Sequence, residues 1–246
     1  MTSQAFATDL GVRVPAITTD QMREVDRVAI EELGPNLYQM MENAGRNLAV
    51  TVLETMGAAW SQTPIAVLSG TGGNGGGGIC AARHLANRGA DVTVVVSDPA
   101  GLTPVPSEQL AIYRATAGRA VEPSALDTLQ PGLIVDAVIG YSLRGAPRGV
   151  ARRMIDWIGT KSVPVISLDV PSGIDATTGE SLGSQVQASV TLTLALPKTG
   201  LDAETSGDLW LADLGIPVKV YRRVGIDVPT GLFGDRFRVQ LRPFGV

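Results

Sequence analysis

The sequence predicts an α/β protein, a three-layer α/β/α sandwich around a mainly parallel central sheet. Three observations predict it. Short apolar runs alternate with amphipathic segments from Pro64 to Asp169, the pattern of repeated β-α units that lay helices on both faces of a sheet. The runs at 64–69 and 91–96 are nearly continuous in apolar residues, as strands buried on both faces are. Seven glycines fall within the nine residues from Gly70 to Gly78, directly after the first run. A glycine-rich turn between a strand and a helix lets a ligand approach the main chain and offers N–H groups to a phosphate.

Taken in order, residues 1–17 read as a loose arm. Thr18 offers an N-cap, and Met22, Val25, Ala29 and Leu33 follow at helical spacing up to Gly34-Pro35, a stop signal. A second helix starts near Asn36, with the stripe Leu37, Met40, Met41, Ala44, Leu48 and Val52 facing a core. Strand 64–69 leads into the glycine loop, because glycine loses the most backbone entropy on ordering and neither strand nor helix favours it. Helix 78–88 closes at Gly89, and strand 91–96 follows. A Pro- and Gly-rich connection, 99–106, precedes helix 107–117. Strand 132–138 is followed by the loop Gly140–Gly149, helix 150–159, strand 163–169 and the turn Val170–Asp175. Strand 188–196 alternates Val190, Leu192, Leu194 and Leu196. A β segment at 208–212 precedes a less regular tail, 218–246. No linker or repeat divides the chain, so 1–246 reads as one domain.

Composition narrows the function. The 246 residues, 44% hydrophobic, can bury a sizeable core. A formal net charge of −4 gives no footprint for nucleic acid or an anionic membrane. The local exception is Arg144, Arg148, Arg152 and Arg153, which suits either an anionic ligand or a solvated helix start. No apolar run approaches a membrane span. Met1–Pro15 lacks the basic start and apolar core of a signal peptide. One cysteine, Cys80, rules out an intrachain disulfide framework and fits a reducing, cytoplasmic compartment. With the single histidine, His84, it cannot form a zinc site of the usual kinds. The two are four residues apart, but no third group to orient a catalytic pair is evident.

In an open parallel sheet, ligands bind beyond the carboxyl ends of the strands. Three such ends carry suggestive residues: Asn74 in the glycine loop, Asp136 followed by Gly140–Gly149, and Asp169 with Ser172. Each alone suits a turn or cap. Together their oxygens suit a hard cation. Gly70, Gly72 and Gly75 also satisfy G-x-G-x-x-G, the dinucleotide fingerprint. An NAD-dependent dehydrogenase would then need Asp91 or Asp98 for a ribose, but no hydride-transfer base is evident.

These residues resemble a family. Gln21-Met22-Arg23 with Asp26, and Met41-Glu42-Asn43-Ala44-Gly45, are similar to the opening helices of the YjeF N-terminal domain family, the NAD(P)H-hydrate epimerases. Gly70 to Gly78 resembles its G-x-G-N-N-G-G-D-G loop, Val135-Asp136-Ala137 with Gly140 its next motif, and Leu168 to Asp175 its D-x-P-S-G-[ILV]-[DN] motif. Pro197-Lys198-Thr199-Gly200-Leu201 resembles its P-K-x-G-L motif. The resemblance runs from about Thr19 to about Pro217. It implies a Rossmann-like domain that interconverts the R and S forms of hydrated NADH and NADPH, which carry a hydroxyl on carbon 6 of the nicotinamide ring, for a separate dehydratase partner.

By the same resemblance a potassium ion is held by Asn74, Asp136 and Ser172. The nucleotide contacts Gly73, Asn74, Gly75, Gly76, Gly77, Gly140, Tyr141, Ser142, Leu143, Arg144, Gly145, Ala146 and Asp169, and a homodimer is suggested. Asp169 is the candidate proton shuttle, with ribose binding as its alternative; Asp175 is a turn former. Gly73 and Gly77 replace an Asn and an Asp of the family loop, and Ser142 replaces a glycine. The missing carboxylate at 77 predicts lost hydrogen bonds to the ligand. The alternative function is a non-catalytic nucleotide- or protein-binding module of the same fold.

Overall fold

A computed structural model describes residues 5–243. Its strands are β1 (Ala5–Thr8), β2 (Arg13–Pro15), β3 (Ile65–Ser69), β4 (Val92–Val96), β5 (Arg119–Val121), β6 (Leu133–Ala137), β7 (Val165–Leu168), β8 (Val190–Leu194), β9 (Asp208–Ala212) and β10 (Arg238–Pro243). Its α-helices are α1 (Thr19–Val28), α2 (Leu37–Met56), α3 (Gly73–Ala86), α4 (Pro104–Tyr113), α5 (Gly149–Gly159), α6 (Ala203–Ser206) and α7 (Val218–Arg223).

The strands form one sheet in the order β2-β1-β10-β9-β8-β7-β6-β3-β4-β5. From β9 through β5 all neighbours are parallel. The β10, β1 and β2 edge is antiparallel. Along β3, Ile65 and Val67 face a core shared with α2 and α3, while Ala66 and Leu68 face one shared with α5. This alternation of sides makes the three layers, and every residue of β3 is buried. The chain runs outward from β3 to β4 and β5, then returns to place β6 on the other side of β3. The carboxyl ends of β3 and β6 therefore flank the topological switch point, where such sheets bind ligands.

Both helix starts expected at Thr18 and Asn36 are capping boxes, with Gln21 and Gln39 reaching back to the cap N–H. The first helix continues after Val28 as a π-helical turn, Ala29–Leu33, closed at Gly34. Other expectations are corrected. The arm is not loose over its described part: β1 and β2 pair, and Phe6, Val14 and Ile17 are buried in a core with α1 and α7. Residues 1–4 lie outside the described part. The tail supplies α7 and the inserted strand β10. Helix α4 starts inside the stretch expected as a connection, because proline at the first helical positions forfeits no hydrogen bond.

The largest correction concerns the glycines. Gly73 to Gly78 are not loop; they form the first turns of α3. Each costs about 1 kcal/mol in a helix relative to alanine, and close packing is what requires them. A Cβ at Gly78 would lie 2.5 Å from the Ala137 Cβ, and one at Gly77 would lie 2.8 Å from the Leu168 Cδ2. One at Gly75 would run into the Gly70 carbonyl. Glycine lets the helix lie directly on the sheet and brings its N-terminus over the switch point.

Candidate functional site

The N-terminus of α3 has Gly72 as N-cap, with no side chain capping it. Its first-turn N–H groups have no intrahelical acceptors, and no atom lies within 4 Å of where a Cβ would stand at Gly72 or Gly73. The positive end of the helix dipole therefore opens onto a cleft, an arrangement suited to an anion.

That cleft has a volume of about 280 Å³ and is lined by Met22, Asp26, Leu37, Met40, Met41, Ala44, Gly73, Asn74, Gly140, Tyr141, Ser142, Asp169, Leu194, Lys198 and Leu214. Of the residues expected to touch a ligand, Gly73, Asn74, Gly140, Tyr141, Ser142 and Asp169 line it. Gly75, Gly76 and Gly77 are buried within α3. The expected loss of a ligand-binding carboxylate at 77 is corrected, because the Cβ direction there leads to Leu168 and Ala44, away from the opening. Leu143, Arg144, Gly145 and Ala146 follow on the outer part of the loop and do not line the cleft.

Asp169 stands at the end of β7 with φ +71. This left-handed conformation costs a non-glycine residue of order 1–3 kcal/mol and persists only where its surroundings impose it. Here they do. The Asp169 N–H donates to the Leu192 carbonyl at 2.8 Å, and Oδ2 accepts the Tyr141 N–H at 2.9 Å. Oδ1 accepts from the Lys198 ammonium in an ion pair whose side chains are 1% and 3% exposed. Lys198 also donates to the Leu194 carbonyl at 2.9 Å. A Cβ on Gly140 would lie 3.0 Å from both Asn74 Oδ1 and Asp169 Oδ2, so the missing side chain leaves those two oxygens facing one small space.

Behind this wall lies Asp136, fully buried. Oδ1 accepts from Ser172 Oγ at 2.6 Å and the Val138 N–H at 3.2 Å. Oδ2 accepts from Ser167 Oγ at 2.8 Å and the Ser172 N–H at 2.9 Å. Burial pushes the Asp136 pKa up, with these donors pulling against it. Asp136 and Ser172 are thus brought together. The Ser172 hydroxyl has a second acceptor, the Ile139 carbonyl at 3.1 Å, so one Asp136 lone pair can be released without stranding the hydroxyl. Asn74 differs: its side-chain oxygen and nitrogen are both buried with no hydrogen-bond partner. Such orphans cost about 1–3 kcal/mol each. The Asn74 oxygen shares a small space with the buried Asp169 carboxylate, and no hydrogen bond joins it to Asp136 or Ser172 among the described residues; hard oxygens of this kind suit a hard cation.

Two site residues carried no role in the sequence reading. Lys198 sits in the Pro197-Lys198 stretch, whose motif was the signal. Asp26, half-buried on α1, accepts the Tyr141 hydroxyl at 2.6 Å. Burial raises its pKa, the Tyr141 hydrogen bond and the Lys198 charge pull it down, and the Asp169 charge adds to the rise.

Cys80 and His84 do have a third group, contrary to expectation. Glu42 on α2 takes the Cys80 thiol at 3.4 Å, the His84 ring at 2.8 Å and Arg83 at 2.5 Å. The ligand atoms of Glu42, Cys80 and His84 lie within 4.8 Å of one another. The Arg83 guanidinium stands among them, 3.3 Å from the sulfur, and supplies the positive charge itself. Burial pushes the thiol pKa up to about 12, so Cys80 is no nucleophile and the cluster ties α2 to α3. The basic group is also answered locally in part: Arg153 pairs with Asp127 and Arg152 with Asp156. Neither carboxylate proposed for a dehydrogenase suits that role. Asp91 precedes β4, at the wrong edge, and pairs with Arg119, while Asp98 caps a short 3₁₀ turn.

A helix N-terminus at a switch point, a strained carboxylate and a small apolar-walled cleft define a nucleotide-type binding domain of the doubly wound α/β class. The chain belongs to the family described as YjeF-related protein N-terminus, whose model matches residues 37–200. It is 50% identical over 221 residues to an NAD(P)H-hydrate epimerase of Dehalogenimonas lykanthroporepellens, across 90% of each chain. It is 34% identical to an NAD(P)H-hydrate epimerase of Weissella koreensis, over 82% of this chain and 91% of that one. A bifunctional NAD(P)H-hydrate repair enzyme, Nnr, of Salinibacter ruber is 34% identical over 85% of this chain and 42% of its own length. The crystal structure of yeast ynu0 shares the fold, with a TM-score of 0.79 at 21% identity, over 92% of this chain and all of that one.

Proposed function

We infer that this chain is an NAD(P)H-hydrate epimerase, interconverting the R and S forms of hydrated NADH and NADPH. The observation that carries the inference is the 50% identity to a protein of that name across 90% of both chains. The cleft supports it with an acid–base group at its wall, Asp169, held against Lys198. Such an isomerisation needs a proton given to oxygen and taken back, and a carboxylate fixed in place can do both. The N–H groups at the start of α3 and the Gly140–Ala146 loop would take the phosphates.

A potassium ion is part of the proposal. The orphaned oxygen of Asn74 and the buried oxygens of Asp136 and Ser172 would hold it. When bound it supplies positive charge that keeps Asp136 ionised and orders the nucleotide site. The bifunctional relatives unite repair activities in one chain by name. For this chain we propose a separate dehydratase as consumer of the S form, a cytoplasmic setting and a homodimer. No helix among the described residues is long and apolar enough to cross a membrane. The test is turnover of purified R-hydrate by the purified protein, in potassium and in a potassium-free buffer. Conversion to S-hydrate that depends on potassium is expected. No conversion in either buffer would leave the non-catalytic module.

A further inference from the structure

We propose that Asp26 is a second catalytic acid–base group, serving the nicotinamide ring face opposite to the one served by Asp169; the proposal rests on the epimerase reading. Both carboxylates line the cleft, and Tyr141 hydrogen-bonds to each of them. Its N–H donates to Asp169 Oδ2 at 2.9 Å, and its hydroxyl donates to Asp26 Oδ2 at 2.6 Å. Oδ1 of Asp26 has no protein hydrogen bond among the described residues, whereas Oδ1 of Asp169 is taken by Lys198. The two groups therefore differ in their partners. Burial favours the protonated form of Asp26, and Asp169 has a cation beside it. Paired carboxyl groups in contrasting environments are how one site holds both an acid and a base.

The chemistry asks for two groups. The R and S hydrates differ only in the ring face that carries the hydroxyl on carbon 6. The C–O bond must break on one face and form on the other. Asp26, as the acid, gives its proton to the hydroxyl. The C–O bond then breaks with its electron pair leaving on oxygen as water, and the ring nitrogen's lone pair supports the resulting cation. Water adds to the opposite face and gives its extra proton to the Asp169 carboxylate. One hydroxyl is lost and one gained, and one proton has passed from Asp26 to Asp169. The reverse reaction, or exchange with solvent, resets both, with no oxidant or reductant required. Asp169 cannot follow the oxygen around the ring, since both its oxygens and its backbone N–H are tied down.

The test offers each epimer separately, in ¹⁸O-water, to the wild-type protein, Asp26→Asn and Asp169→Asn. Products are separated by epimer and weighed by mass spectrometry. The wild type should place ¹⁸O in both epimers while interconverting them. Each Asn variant should lose about 10²–10⁴ in epimerisation yet still exchange ¹⁸O into one epimer, a different one for each variant. The urea midpoint of Asp26→Asn is taken alongside and should lie close to that of the wild type. Asp26→Asn epimerising within tenfold of the wild type overturns the proposal. So does Asp26→Asn exchanging into neither epimer while its urea midpoint matches the wild type, because a folded variant would then lack the one-sided exchange that Asp169 should still supply. A wild type that binds the hydrates but interconverts none refutes the epimerase reading itself.

Discussion

Replacing Lys198 by methionine tests the ion pair at the centre of the site. Methionine keeps most of the stem volume and removes the ammonium. With side chains 1% and 3% exposed, neither partner can turn to water, so Asp169 is left buried without its cation. Breaking a buried pair from one side costs about 3–5 kcal/mol. In a chain of 246 residues, each kcal/mol moves Tm by roughly 2–4 °C, so the expected drop is roughly 6–20 °C. The double variant Lys198→Met/Asp169→Asn removes both charges. Its amide oxygen can still accept the Tyr141 N–H, so more than half of the lost stability should return. Urea titrations of the wild type, both single variants and the double variant close the cycle. A Lys198→Met protein within 1 kcal/mol of the wild type, taking ~1 kcal/mol as the size of an ordinary exposed pair, would refute the reasoning. A double variant no more stable than the single one would do the same.

Gly78→Ala sets helix propensity against packing. Alanine gains about 1 kcal/mol of propensity, but its Cβ would stand 2.5 Å from Ala137. Overpacking of about 1–3 kcal/mol should therefore win, giving a lower urea midpoint; a higher midpoint would contradict it. The proposed potassium site predicts a pH-dependent ion effect. Burial raises the Asp136 pKa above its unfolded value of 3.8. The native state therefore binds that proton more tightly. Its contribution to stability is complete below 3.8 and is lost as pH rises through the folded value. A cation beside the ionised carboxylate restores it, so the rise in Tm on adding potassium should be larger at pH 8 than near pH 4, where the raised pKa keeps more of Asp136 protonated. An equal rise at both would count against ion binding at Asp136.

The interior of the fold was legible because its strands are buried on both faces. Ile65–Ser69 and Leu133–Ala137 have no polar alternation to confuse with an amphipathic helix, apart from Asp136, whose charge marks the site. The antiparallel edge was not legible. Ala5–Thr8 and Arg13–Pro15 are too short to show a period, and the strand that joins Ala5–Thr8 to the rest of the sheet, Arg238–Pro243, lies more than two hundred residues away. The glycines misled for a physical reason: entropy argues for a loop, and only the contacts with Ala137, Leu168 and Gly70 reveal the need for glycine in a helix. Asp169 and Asn74 could be picked out beside tight turns. The roles of Lys198 and Asp26 could not. Lys198 acquires its meaning from Asp169, 29 residues earlier, and Asp26 from Tyr141, 115 residues later.

The most direct measurement compares the wild type with Asp169→Asn on purified R-hydrate, taking turnover and nucleotide affinity from the same preparations. The amide keeps the shape and can still accept the Tyr141 N–H, but it cannot carry a proton. The account predicts a loss of about 10²–10⁴ in turnover with affinity changed less than tenfold. Turnover within tenfold of the wild type, with the loss falling on affinity instead, would contradict it and leave Asp169 as a residue that only binds.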